Sequence, residues 1–94
     1  MINTCNSSLL IDDYKVRVTR FDFLANQQTG WHKHTLDYLI TTITDCHMRL
    51  ESPDGNITEV TVQSGSVYKR EAGVEHNVIN VGCLPMSFIE VELK

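Results

Sequence analysis

The chain has 94 residues and a mass of 10.7 kDa, which leaves room for one small domain. Hydrophobic residues make up 41% and charged residues 21%, a balance that excludes disordered and collagen-like chains. Eight Lys and Arg against twelve Asp and Glu give a net charge of −4, which argues against nucleic acid or an anionic membrane as the main partner, since both demand a basic surface.

From the N-terminus onward the local signals are those of β-structure. Met1 to Ile11 carries neither a basic region nor a long apolar stretch, so no secretory signal is expected, and residues 1–12 read as an arm or an edge strand. Tyr14 to Phe23 alternates, but the apolar parity moves from Tyr14, Val16 and Val18 to Phe21 and Phe23, which predicts a bulge near Thr19 and Arg20. A polar turn covers Ala25 to Gly30. Tyr38 to Thr44 is rich in β-branched residues and predicts a strand. His47 to Glu51 and Asn56 to Val62 flank the turn residues Ser52, Pro53, Asp54 and Gly55 and predict a hairpin. Ser66 to Arg70, His76 to Val81 and Met86 to Leu93 predict three more strands, separated by turns at Gln63–Gly65, Glu71–Glu75 and Gly82–Pro85. About eight short strands without a helical period indicate an all-β sandwich or barrel. No apolar run approaches the roughly 20 residues that a spanning helix requires. Cys5, Cys46 and Cys83 are an odd, scattered set with no CxxC pair, as expected of reduced thiols in a cytoplasmic protein.

His32 and His34 form an H-x-H pair, and alternate side chains of a strand share a face, so two imidazoles converge there on one ion. His76 opens a later strand. If that strand neighbours the first, three imidazoles meet in the lumen and leave positions open for water or substrate. Histidines on a solvated face or satisfied in a core are the competing reading.

Gly30-Trp31-His32-Lys33-His34 is similar to the core of the first cupin motif. Gly65, Gly73, His76 and Asn80 match the spacing of the second, G-x5-P-x-G-x2-H-x3-N, with Glu71 in place of proline. Over residues 14 to 93 the chain therefore resembles the cupins, small double-stranded β-helix barrels of the jelly-roll type, and among them the proteins associated with β-alanine degradation. The resemblance implies a cupin barrel over residues 1–94, a divalent metal (Fe, Zn, Ni or Mn) held by His32, His34 and His76, and a homodimer. The family's metal-binding glutamate falls at position 38 or 39, where this chain has Tyr38 and Leu39. Asp37 is the nearest carboxylate, and its parity turns it away. A three-histidine site is expected, with the fourth position taken by water, a small-molecule ligand or the Tyr38 phenol.

Tyr38 is the candidate for proton transfer, against the reading of a barrel-lining aromatic. Arg17, Arg20 and Arg49 are candidates to line the mouth and hold a carboxylate. His47, Glu71, Glu75 and the Glu90–Glu92 side of the last strand read as solvated, and Cys46 and Cys83 as small buried apolar groups. Asn80 is expected to brace a turn. The functional expectation is a cupin acting through its metal on a small organic acid or related metabolite, by dioxygenase- or isomerase-like chemistry. The alternatives are a non-catalytic ligand-binding barrel and a metal-stabilised dimer.

Overall fold

Nine strands make up the regular structure of the described residues, 3–94, in this computed structural model. They are β1 (Asn6–Asp12), β2 (Val16–Phe23), β3 (His32–Lys33), β4 (Asp37–Thr42), β5 (Cys46–Glu51), β6 (Ile57–Val62), β7 (Val67–Arg70), β8 (Glu75–Asn80) and β9 (Met86–Leu93). The predicted strands are all present, and β3 is a short addition. The N-terminal segment is an edge strand rather than a loose arm, although Met1 and Ile2 lie outside the described residues. The sheets have the orders β1-β2-β9-β4-β7 and β3-β8-β5-β6, and every strand pair is antiparallel. Their inner faces enclose the lumen of a jelly roll.

The register explains the parity change in β2. It pairs with β9 without interruption from Val16↔Leu93 to Phe23↔Met86, so the expected bulge near Thr19 is absent. The irregularity lies in β1, between Leu9 and Ile11. Val16 and Val18 point outward and Phe21 and Phe23 inward, because both faces of this sheet are partly apolar. Directly paired residues share a face, so the inner face of the five-stranded sheet is a set of rows. The first runs Arg17–Glu92–Tyr38–Arg70 and the second Thr19–Glu90–Ile40–Tyr68. The third runs Phe21–Phe88–Thr42, and Phe23–Met86 closes the far end. Polarity falls from the mouth to the floor. Phe23 and Met86, each 1% exposed, pack with fully buried Cys46 in the core beneath the lumen, whose own lower walls are Phe21, Phe88 and Met48. The opposite wall carries Met48, Leu50, Val60, Val62 and Val78 from β5, β6 and β8.

Turn residues hold the sheet ends. Asn80, 1% exposed, donates from Nδ2 to the Leu84 carbonyl at 2.9 Å and accepts from the Gly82 N–H at 3.1 Å, the bracing role expected of it. Cys46 is buried as expected. Cys83 is exposed, contrary to expectation, because the Gly82–Pro85 turn projects from the barrel end.

Candidate metal centre

His32 and His76 are direct partners across the β3–β8 ladder. His34 lies past the end of β3, yet its backbone remains fixed: its N–H donates to the Val74 carbonyl at 2.8 Å, and its carbonyl accepts from the Gly73 N–H at 2.7 Å. Gly73 makes this contact at φ +103°, in the region open to glycine, which is the local reason for a glycine three residues before His76. The H-x-H segment and the later loop are thereby tied together before any ion arrives.

The imidazoles converge through Nε2. His34 Nε2 stands 3.1 Å from that of His32 and 3.2 Å from that of His76, and the ligand atoms of all three lie within 4.8 Å of one another. Nitrogens about 2.1 Å from a common ion are separated by about 3.0–3.4 Å in octahedral or tetrahedral arrangements, so the donor set fits a divalent transition metal. The outer nitrogens support this reading. His32 Nδ1 is 2.9 Å from the Gly30 carbonyl, so it carries the proton and its Nε2 lone pair faces inward. His34 Nδ1 faces Glu90 Oε1 at 3.5 Å. Burial, reinforced by the neighbouring imidazoles, pushes His34 and His76 down to about 4, so both are neutral and available as ligands near neutral pH.

The Tyr38 ring stacks on that of His34, with centroids 3.8 Å apart and planes 19° apart. It is 2% exposed, and burial with the Glu90 charge raises its phenol to about 12, so the hydroxyl keeps its proton. Asp37 faces the other way and accepts from the Ala72 N–H at 2.8 Å, which anchors the motif-two loop.

Several expectations are corrected. Glu90 is not solvated: it is 8% exposed and lines the lumen beside His34, and burial, then Glu92, raises its carboxyl to about 7. The misleading signal was Ile89, Val91 and Leu93, whose alternation resembles a core face but points outward; Met86 and Phe88 have the parity of Glu90. Of the arginines proposed for the mouth, only Arg17 is there, and it pairs with Glu92 at 3.5 Å. Arg20 turns outward to Asp22, and Arg49 pairs with Glu59 at 3.1 Å on the outer face. The arginine that lines the lumen is Arg70. His47, Glu71 and Glu75 are exposed, as expected.

Sequence reasoning also passed over Asn77. This residue, 3% exposed, faces away from the lumen beneath the Gln28–Gly30 segment. Its Oδ1 accepts from the Gly30 N–H at 3.0 Å, and its Nδ2 donates to Gln28 Oε1 at 2.6 Å and Glu51 Oε1 at 3.0 Å. A carboxylate on one side and an N–H on the other leave the amide a single orientation. Asn77 thus fixes the residue whose carbonyl orients His32.

The lumen has a volume of about 360 Å³. Apart from the histidines, its walls are mostly aliphatic and aromatic. Phe21, Leu50, Val60 and Tyr68 pack against the core on one side and are only half-buried because their other side faces this space. A second, more polar cleft lined by Arg17, Lys33, Thr35 and Glu92 reaches His32, His34 and Glu90 from outside. The histidine trio therefore stands between open cleft and apolar lumen, the arrangement of a small-ligand site.

No family model matches the chain. The chain is 39% identical over 84 residues to the beta-alanine degradation protein BauB of Pseudomonas aeruginosa, with 89% of this chain and 87% of BauB covered. The crystal structure of a cupin domain from Bordetella pertussis superposes with a TM-score of 0.94 at 35% identity, covering 100% of this chain and 97% of that one. An RmlC-like cupin with a double-stranded β-helix fold from Methanocaldococcus jannaschii has a TM-score of 0.76 at 15% identity, covering 97% and 81%.

Proposed function

The chain belongs to the cupin family, in the group that includes BauB, and from that premise we propose that it is a metal-dependent cupin acting on a small organic acid or related metabolite. The observation that carries this reading is the convergence of three imidazoles, with His34 Nε2 at 3.1 Å and 3.2 Å from those of His32 and His76, at the junction of an apolar lumen and a polar cleft. His32, His34 and His76 would hold the metal. When bound, it supplies Lewis acidity toward a carbonyl or carboxylate, or activates oxygen. Three neutral ligands leave its charge uncompensated, which favours an anionic ligand.

The chain's own residues account for the rest. Tyr38, whose phenol stays protonated, would be the proton donor. Glu90, beside His34 Nδ1, is the nearest carboxylate able to accept a proton there. The apolar walls exclude water from the ligand's body. We further propose a single barrel spanning the chain, working in the cytoplasm as a homodimer. Support for the dimer comes from the outer face of the five-stranded sheet, where Val16, Val18, Leu39, Ile89, Val91 and Leu93 form a half-buried apolar surface.

Elemental analysis of tag-free protein beside its His76→Ala variant tests the reading. Near-stoichiometric metal in the parent and little in the variant is expected. A parent that neither carries a metal nor takes one up on reconstitution refutes it. Turnover over a panel of small acids then separates an enzyme from a barrel that only binds.

A further inference from the structure

Arg70 stands apart from the other arginines. Arg17, Arg20 and Arg49 each pair with a carboxylate, whereas among the described residues none pairs with Arg70. Its guanidinium lies over the Tyr68 ring, 4.7 Å from the centroid, and one nitrogen donates to the Lys69 carbonyl at 2.9 Å. That contact orients the group while leaving most of its donors free. Arg70 is also the direct cross-strand partner of Tyr38, which stacks on His34. An unpaired cation thus stands one side chain from the histidine trio, at the mouth of an apolar chamber.

We propose that Arg70 is the carboxylate-binding residue of this site, and that its ligand is a small monocarboxylate with an otherwise apolar body. Resting on the metal-site reading above, the proposal gives the ligand an orientation. Arg70 and the histidine trio hold the charged end at the mouth. The remainder lies along Ile40, Leu50, Val60, Val78 and Phe88. The guanidinium fork matches both oxygens of a carboxylate, a match that an ammonium lacks. A second charge, as in a dicarboxylate, would have to enter apolar space that already holds Glu90. A polyhydroxylated body would leave its hydroxyls there without partners.

The test is calorimetric titration of the zinc-loaded protein with acetate, butyrate, hexanoate and glutarate, and with butyramide as the uncharged counterpart of butyrate. Butyrate and hexanoate are expected to bind more tightly than acetate or glutarate, and butyramide at least tenfold more weakly than butyrate. Arg70→Gln is expected to weaken butyrate at least tenfold while leaving butyramide binding and zinc content unchanged, and Arg70→Lys to restore only part of the loss. The proposal is overturned if Arg70→Gln leaves butyrate within twofold of the parent, if butyramide matches butyrate, or if no acid in the series binds. A parent that takes up no zinc overturns the metal reading instead. The same titrations on metal-free protein then still read the contribution of Arg70.

Discussion

Exchanging donors for acceptors at Asn77 tests the polar network behind the metal ligands. In Asn77→Asp the side chain keeps its shape and still accepts from the Gly30 N–H, so the brace on His32 survives. Both Nδ2 donors disappear, and a carboxylate is set against Glu51 Oε1, which is 3.0 Å from the present nitrogen. Two like charges about 4 Å apart repel by about 4 kcal/mol at an effective dielectric near 20. Glu51 is only half-buried, so rotation toward water or uptake of one proton relieves part of this. A net loss of about 2 kcal/mol remains, equivalent to a fall in Tm of about 8–16 °C for a domain of this size. Glu51→Gln alone is nearly neutral, because its amide oxygen still accepts from Asn77. In the double variant the Gln amide donates to the new carboxylate, and most of the loss is recovered. The assay is urea denaturation of the four proteins at pH 7.5 in low salt, which leaves the charges unscreened, with metal content measured in parallel. The reasoning is refuted if Asn77→Asp is within 0.5 kcal/mol of the parent, on the order of the scatter between independent sites, or if the double variant is no more stable than Asn77→Asp.

Protonation of the metal-free barrel makes opposed contributions with pH. His34 and His76 hold pKa values near 4 against 6.5 in the unfolded chain, so the stability they contribute is complete above pH 6.5 and lost as pH falls toward 4. Glu90 works in reverse: raised to about 7 from 4.5, it contributes fully below pH 4.5, and that contribution is lost as pH rises through 7. Glu90→Gln removes the second contribution, so its Tm relative to the parent is expected to rise between pH 5 and pH 8, by the equivalent of about 2 kcal/mol once residual hydration is allowed for. A constant difference over that range contradicts the assignment. On the outer sheet, Val91→Glu places a charge amid Val18 and Leu39, its partners on either side. Light scattering is expected to show a dimeric parent and a monomeric variant that retains its metal; a monomeric parent removes this face as the dimer contact.

Most of the strands were legible because turn residues punctuate the chain: the Ser52–Gly55 turn and the glycines at 65 and 73 mark strand ends by chemistry alone. The histidine trio was legible because period-two geometry and motif spacing converge on it. Glu90 and Arg70 were not. Both β2 and β9 carry apolar side chains on both faces, so alternation in Met86–Leu93 is consistent with either direction, and only the register with β2 and β4 decides it. Arg70 ends a strand with an alternating pattern no different from that of Arg17. Its neighbour Tyr38 lies more than thirty residues earlier, and β4–β7 pairing brings them together. Asn77 escaped because it faces away from the lumen, and only the fold of residues 28–30 buries it.

The floor of the lumen at Phe21, Phe88 and Met48 makes it a gauge. Each added methylene should improve affinity by about 0.8 kcal/mol while it displaces water from the apolar walls. The gain should end abruptly where the chain meets those side chains, since a packed interior resists further methylenes. The length at which affinity turns over would thus measure the distance from doorway to floor in carbon atoms.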